Sequence, residues 1–244
     1  SLIFGTMGTR PIEKGVKILA AHVDSPRLDL KPSPLFEEAE LGYLRPHYYG
    51  GIKKYQWPTI PLALHGDVYK KDGSVVTITI GEDENDPIFC VTDLLPHLAS
   101  KQRTQTLAEA FKGESMNILI GSRQFKDEKA SEKVKLNLMK IFNEKYGITE
   151  RDFLGAELSV VPALKSMIGA YGHDDRVCSY TEMTAEIANT NPEWTSVVIF
   201  ADKEEVGSDG NTGMHSRFLE YFLADLAEPF GVPVRRVLSN SKCL

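Results

Sequence analysis

Three short polar clusters carry the residue types that could do chemistry. They are His22-Val23-Asp24, the stretch HDDR at residues 173–176 and the stretch DKEE at residues 202–205. Imidazole nitrogens and carboxylate oxygens are ligands that zinc accepts. The adjacent pair Glu204 and Glu205 also fits a division of labour, in which one binds a metal and the other takes a proton from metal-bound water. The clusters therefore suggest a shared metal site with a neighbouring base.

Each cluster also has an ordinary structural explanation when it is taken alone. A His-x-Asp pair after a strand is commonly a capped turn, and HDDR before a helix can be an N-cap, because carboxylates suit the positive end of the helix dipole. A run such as KEE is commonly a solvated face. However, charge at the end of a buried strand is costly unless it is paired or bound to a metal. The combination therefore favours the metal site.

Two apolar runs predict the strands that would position these clusters. Residues 16–26 and 195–208 each pass from a nearly continuous apolar stretch into polar residues, which is typical of strands covered on both faces. Residues 175–189 and 214–226 have the period of amphipathic helices, and the first places Val177, Tyr180, Thr184, Ile187 and Ala188 on one face. This pattern predicts an α/β sheet, in which sites form beyond the carboxyl ends of strands.

The middle of the chain, from about residue 36 to 160, has a different pattern. Residues 61–81 contain two strand-like runs joined through Asp72-Gly73, which predicts a hairpin. Residues 131–147 predict an amphipathic helix that ends at Gly147, and residues 99–117 predict an irregular, mobile loop. The predicted organisation is an α/β domain interrupted by an inserted α+β domain.

Bulk composition excludes several classes of protein. Among the 244 residues, the hydrophobic fraction is 42%, the charged fraction is 25% and the net charge is −6, which gives no reason to expect binding to nucleic acid or to an anionic membrane. No apolar stretch approaches the roughly 20 residues of a membrane span. Three cysteines without a CxxC pair indicate a reducing compartment. With no signal-like start, these features predict a cytoplasmic protein.

The three clusters, with their neighbours, resemble the motifs of the M18 family of metallo-aminopeptidases. The matching stretches are AAHVDSPRLDLKP, YGHDDRVCSY and DKEEVGSDGNTGMHSRFLE, and YGGIKKYQWPTIPLALHGDVYKKDG and LLPHLA resemble the family's inserted domain. The resemblance implies a three-layer α/β/α catalytic domain with a mixed sheet, of the zinc-exopeptidase type, at residues 1–35 and 161–244. It also implies an inserted α+β, β-rich oligomerisation domain at residues 36–160.

The resemblance also implies residue roles for an aminopeptidase that hydrolyses N-terminal residues from peptides. His22 and Glu205 match metal ligands, and Asp174 matches the aspartate that bridges two metals. Asp24 matches the catalytic-site carboxylate that orients the histidine. Glu204 matches the general base, which takes the proton of a metal-bridging water and passes it to the leaving amine. The metals are two zinc ions per complete site, with cobalt or manganese as alternatives.

The chain departs from the family pattern in its ligand set. Two further ligands, an aspartate and a histidine, lie beyond the segment that resembles LSNSKCL, and this sequence ends at Leu244. We therefore expect the given sequence to be truncated; the alternative is an inactive assembly subunit. A further alternative is an M42-like aminopeptidase or a metal-dependent deacylase of the same clan.

The resemblance also implies a homo-oligomer that is built from dimers, up to a dodecamer. His97 matches a region of the inserted domain in which a nearby histidine can reach a neighbouring subunit's active site, although Lys101 stands where a second histidine would be expected. We expect His173 to give local support to the bridging aspartate. We expect the remaining histidines to be structural or on the surface: His47, His65 and His215.

Overall fold

The structure is a computed structural model that describes residues 1–164 and 170–244. Its contacts divide the chain into two compact units. Unit 1 comprises Ser1–Pro26 and Gly172–Leu244, and unit 2 is Arg27–Tyr171, between the two segments of unit 1. The sequence-based boundaries after residues 35 and 160 fall inside strands of unit 2, because both strands run on past those positions and pair with neighbours in that unit.

The described residues form eleven strands and five α-helices. The strands are β1 (Leu2–Thr6), β2 (Lys17–His22), β3 (Arg27–Glu38), β4 (Leu41–Tyr49), β5 (Leu62–Tyr69), β6 (Val75–Ile80), β7 (Cys90–Val91), β8 (Ile118–Gly121), β9 (Ala156–Pro162), β10 (Ser196–Ala201) and β11 (Lys242–Cys243). The helices are α1 (Leu107–Ala110), α2 (Lys133–Tyr146), α3 (His173–Ala188), α4 (Phe218–Ala227) and α5 (Val234–Asn240). Among the described residues, none of these helices has the length and apolar character needed to cross a bilayer.

Unit 1 is built on a mixed four-stranded sheet. The strand order is β1-β10-β2-β11, with β1 antiparallel to β10 and the other neighbours parallel. The parallel register of β2 and β10 runs from Lys17 opposite Ser196 to His22 opposite Ala201. The two strands that the sequence predicted therefore end side by side, at the same edge of the sheet.

Helices cover both faces of this sheet. Successive side chains of a strand point to opposite faces, and those of β10 contact helices on each side. On β10, Val197 and Ile199 pack in one apolar cluster with Leu223 of α4 and Val237 of α5. The adjacent residue Ser196 points to the other face, where its hydroxyl donates a hydrogen bond of 2.8 Å to the carboxylate of Glu186 in α3. Unit 1 is therefore a three-layer α/β/α structure, which confirms the predicted fold class.

The face that α3 turns toward the sheet differs from the expectation. Its buried residues are Ser179 and Glu186. The apolar stripe lies on the opposite side and is exposed: Val177 is 43% exposed, Tyr180 63% and Ile187 70%. The helical period of the sequence correctly placed the apolar residues on one face of α3. However, polar side chains bond the helix to the sheet, so the apolar face points to solvent.

Unit 2 is built on a seven-stranded antiparallel sheet in the order β6-β5-β9-β3-β4-β8-β7. The predicted hairpin is confirmed, since β5 and β6 pair up to Tyr69 opposite Val75. The predicted helix is confirmed as α2, which ends at Gly147 in a left-handed conformation. The carboxylate of Glu37 accepts the N–H groups of Val134 and Lys135 at 2.8 and 2.9 Å and so fixes the start of α2 against β3.

The segment at residues 99–117 was expected to be an irregular loop, and this prediction is wrong. It contains α1 and two 3-10 turns, Gln102–Thr104 and Gly113–Ser115. Both the N–H and the hydroxyl of Thr106 donate to the carboxylate of Glu109, at 3.0 and 2.8 Å. A threonine followed three residues later by glutamate is the sequence signal of such a helix start, and it was missed among polar neighbours.

Candidate metal centre

The edge where β2 and β10 end carries the candidate site. His22 is the last residue of β2, and a single 3-10 turn, Glu204–Val206, follows β10. The parallel register aligns these two strand ends, so the histidine and the paired glutamates meet there although they lie far apart along the chain. The third cluster reaches the same edge from α3, which begins at His173.

His22 faces carboxylates with one ring nitrogen and the backbone with the other. Its Nδ1 lies 3.1 Å from the carbonyl oxygen of Asp24, and its Nε2 lies 3.1 Å from Oδ1 of Asp174. Because a carbonyl only accepts hydrogen bonds, Nδ1 carries a proton and Nε2 presents its lone pair to Asp174 in the neutral ring. Two acceptors at this distance repel unless a cation, either a proton or a metal ion, lies between them.

Asp24 is buried and joins the two strand ends. Its carboxylate accepts the backbone N–H groups of Glu204 and Glu205, both at 3.2 Å. The same carboxylate lies 3.5 Å from Nδ1 of His22, farther away than the Asp24 carbonyl. In this structure the carbonyl therefore holds the imidazole, while the carboxylate holds the turn that carries both glutamates.

Asp174 lies at the start of α3, with its side chain 90% exposed. The peptide bond between Asp174 and Asp175 is cis. Farther along the helix, the buried hydroxyl of Ser179 donates a 3.0 Å hydrogen bond to the carbonyl oxygen of His22. This bond ties α3 to the end of β2 and so helps to set the position of Asp174 relative to the imidazole.

The electrostatics of the cluster favour a bound cation. Burial on its own lowers the pKa of His22, but hydrogen bonds to the Asp24 carbonyl and to the Asp174 side chain, together with the charges of Glu204 and Asp24, raise it above the ordinary histidine value. Burial and then the charge of Glu204 raise the pKa of Glu205. Four carboxylates around one imidazole leave the cluster negative even when His22 is protonated, and such a cluster is stabilised by a metal ion.

The donor distances are compatible with zinc. Zinc bonds of about 2.0–2.1 Å in a tetrahedron place neighbouring ligand atoms about 3.3 Å apart, and Nε2 of His22 is 3.1 Å from Asp174. His22, Glu204 and Glu205 each offer a ligand atom, and these atoms lie within 4.8 Å of one another. The structure therefore brings all five predicted site residues to one edge. Their separate roles as ligand, base or orienting group remain predictions.

The other histidines have local contacts or lie in unit 2. Nε2 of His65 is 3.1 Å from Glu82, Nδ1 of His215 is 3.2 Å from Asp209, and His47 stacks on Tyr48. His97 is exposed in unit 2, and its predicted role stays a prediction. Ser179 also supports the site, but the sequence did not single it out, because a serine within a helix carries no signal for a bond to a distant strand.

Replacing Ser179 with Ala is expected to lower the free energy of unfolding by about 1 kcal/mol, because the carbonyl of His22 loses a buried donor. Zinc affinity should fall about tenfold, since the ligand side chains lose a support. Denaturant unfolding of the metal-free protein and a competitive zinc titration measure the two effects. Thr181→Ala is the control, because that hydroxyl bonds only within α3; equal zinc affinity in the two variants would contradict the role of Ser179.

Comparison with known proteins gives a consistent result. The family model described as "Aminopeptidase I zinc metalloprotease (M18)" matches residues 1–238. A "Probable M18 family aminopeptidase 1" from Clostridium acetobutylicum is 50% identical over 100% of this chain and 55% of its own length. A relative of the same description from Thermotoga maritima is 48% identical over 85% of this chain and 47% of its own length. The chain thus spans about half the length of the curated relatives it matches.

Solved structures share this architecture. The aminopeptidase I structure from Clostridium acetobutylicum superimposes with a TM-score of 0.89 at 48% identity, over 99% of this chain and 54% of that one. The M18 aminopeptidase structure from Thermotoga maritima gives a TM-score of 0.87 at 44% identity, over 95% and 54%. A dodecameric mApe1 structure from S. cerevisiae, at 22% identity and a TM-score of 0.62, covers 98% of this chain and 53% of that one and shares the fold.

Proposed function

Because the chain belongs to the M18 family of aminopeptidase I zinc metalloproteases, we propose that the protein is a metal-dependent aminopeptidase that hydrolyses the N-terminal residues of peptides. The observation that carries the proposal is the 3.1 Å approach of His22 Nε2 and Asp174 Oδ1, beside Glu204 and Glu205 at the shared strand edge. This arrangement of acceptors fits a bound metal ion, and the neighbouring carboxylate of Glu204 is placed to act as a base.

We propose that zinc is held by His22, Asp174 and Glu205, with two ions in a complete site and cobalt or manganese as alternatives. When bound, the metal lowers the pKa of water and polarises the scissile carbonyl. The chain's own contribution is to fix the ligands before binding. Asp24 does so by accepting hydrogen bonds from the imidazole of His22 and from the backbone N–H of Glu205, and Ser179 does so by donating one to the backbone carbonyl of His22.

The two glutamates differ in exposure in a way that supports separate roles. Glu204 is exposed, whereas Glu205 is half-buried. Oε2 of Glu204 lies 3.9 Å from Nε2 of His22, so its carboxylate is next to the ligands while it also faces solvent. We infer that Glu204 accepts the proton of the attacking water and delivers it to the leaving amine, and that Glu205 serves as a ligand.

Assembly and compartment are also proposals. We propose a homo-oligomer built from dimers, in line with the dodecamer described for the yeast structure of the same fold. We propose a cytoplasmic location because Cys90, Cys178 and Cys243 are all free, and two of them are exposed. Exposed free thiols are typical of reducing compartments.

Metal removal tests the proposed function. The full-length protein should lose its activity after treatment with a chelator and recover it when zinc is added, because the negative cluster must hold a cation to work. The compounds to be assayed are peptides with a free amino terminus, their N-acetylated counterparts and simple acyl amides. We expect cleavage of the free-amine peptides only. Activity that survives complete metal removal would refute the metalloenzyme, and preferential cleavage of acyl amides would favour the deacylase alternative.

A further inference from the structure

Unit 2 contains an open cavity of about 480 Å³ between its sheet and α2. Its floor is apolar and comes from buried strand residues, among them Leu44, Leu64 and Ile80. Its other wall is α2, through Leu138 and Phe142. The volume lies within the range of cavities that hold small molecules in proteins, and such cavities are typically apolar with a few polar groups at one end.

The mouth of this cavity carries two cations. Arg123, just after β8, and Lys145, in the last turn of α2, both line it. The guanidinium of Arg123 is exposed, and no carboxylate among the described residues forms an ion pair with it. Lys145 lies over the ring of Tyr146, 5.2 Å from its centroid. A hydrogen bond to that tyrosine, and then the charges of Asp86 and Asp83, raise the pKa of Lys145, so this ammonium group already has carboxylates near it. Arg123 is therefore the cation at the cavity that is available to an anionic ligand, with Lys145 beside it.

The segment that carries Arg123 is held in place by bonds to α2. The side-chain amide of Asn137 donates to the Arg123 carbonyl oxygen at 3.1 Å, and the N–H of Phe125 donates to the Lys133 carbonyl oxygen at 2.9 Å. These bonds fix the backbone at the mouth while the guanidinium stays free to reach a ligand. The cavity thus combines a preformed apolar body with a positioned donor, as small-molecule sites require.

We propose that this cavity binds an apolar monocarboxylate, with its hydrocarbon part against Leu64 and Leu138 and its carboxylate on Arg123 and Lys145. A guanidinium and a carboxylate form paired, charge-assisted hydrogen bonds, which makes an anionic head group the matching partner. An ammonium head group would be repelled by the guanidinium of Arg123. Ile141, 48% exposed at the same mouth, gives apolar area for the part of the ligand that emerges from the cavity.

Calorimetric titration of the full-length protein tests the proposal, with decanoate, decanol and decylammonium as probes below their micelle-forming concentrations. We expect decanoate to bind at one site per chain, at least about tenfold more tightly than decylammonium, with decanol between them. Arg123→Glu should weaken decanoate binding at least about tenfold. Arg103→Glu is the matched control, because it makes the same charge change at an exposed position of unit 2 that does not line the cavity.

A second set of variants tests the location independently of charge. Ile120→Phe adds volume to a half-buried wall position, and it should abolish decanoate binding while the circular dichroism spectrum and the oligomer mass stay unchanged. Equal decanoate affinity in Arg123→Glu and Arg103→Glu would overturn the proposal. Equal affinity for decanoate and decylammonium would also overturn it. So would decanoate binding that is seen only after the oligomer has been dissociated, because a second copy of the chain would then occupy the cavity in the oligomer.

Discussion

Glu204→Gln is expected to lower kcat by about 10²–10⁴-fold while the bound metal content stays unchanged. This is the range that a positioned general base contributes, and the amide keeps the size of the side chain but cannot accept a proton. Glu204 is the exposed member of the pair, and its carboxylate lies beside the ligands. The loss should therefore appear in the chemical step, with KM little altered.

The neighbouring residue supplies the contrast for this experiment. Glu205→Gln should instead reduce metal content, because an amide is a much poorer metal ligand than a carboxylate. Glu228→Gln is the control for the substitution itself, since Glu228 is exposed on unit 1 and lies outside the site. Steady-state kinetics and elemental analysis are measured for all three variants. Full activity in Glu204→Gln would remove this residue as the base, and loss of metal from that variant would make it a ligand instead.

Asp24→Ala is expected to lower the free energy of unfolding of the metal-free protein by about 2–4 kcal/mol. Two backbone N–H groups lose a charged acceptor at once, and hydrogen bonds to charged groups contribute about 1.5–3 kcal/mol each. Part of that sum is offset, because the substitution also removes the repulsion between Asp24 and the carboxylate of Glu205. Zinc affinity should fall about 10–100-fold in addition, as it does when groups that orient metal ligands are removed. The reason is that the turn that carries Glu204 and Glu205 is held by this carboxylate.

Denaturant unfolding and competitive zinc titration measure these two effects. Asp225→Ala is the control, because Asp225 is exposed on α4 and the substitution removes the same charge. Asp24→Asn should fall between the wild-type protein and Asp24→Ala, since its amide oxygen can accept from one N–H while its NH₂ group faces the other. A free energy of unfolding equal to that of the wild-type protein in Asp24→Ala would show that the turn at Glu204–Val206 keeps its conformation without this carboxylate. The carboxylate would then act on His22 alone.

The sequence predicted those parts of the fold that have a strong local pattern. Continuous apolar runs located β2 and β10, Asp72-Gly73 located the hairpin, and Gly147 located the end of α2. Two of the clusters were expected to meet because they follow strands whose carboxyl ends lie together in a parallel sheet, whereas the third cluster begins a helix and was joined to them by the family resemblance. The remaining features depend on contacts that no local pattern encodes.

Two features of the structure, the contacts of Asp24 and the orientation of α3, were not predicted from the sequence. The resemblance implied that the Asp24 carboxylate orients His22, and this role stays a prediction. The sequence did not indicate that the same carboxylate also accepts the N–H groups of the paired glutamates after β10, which are 180 and 181 positions away. For α3, the period showed which residues share a face but not which face meets the sheet. The buried pair of Glu186 and Ser196 decides that question, because a carboxylate within reach of a hydroxyl can be buried at little cost.

The division of unit 1 between two chain segments governs when the metal centre can form during folding. Asp24 and Glu204 are 180 positions apart, and unit 2 accounts for 145 of the residues between them. Folding of unit 2 first would shorten the effective loop to about 35 residues and reduce the entropic cost of joining β2 to β10 by about 1.5 kcal/mol. During synthesis, His22 and Asp24 therefore wait for β10 to emerge, and the proposed centre can bind a metal ion only after β10 has paired with β2.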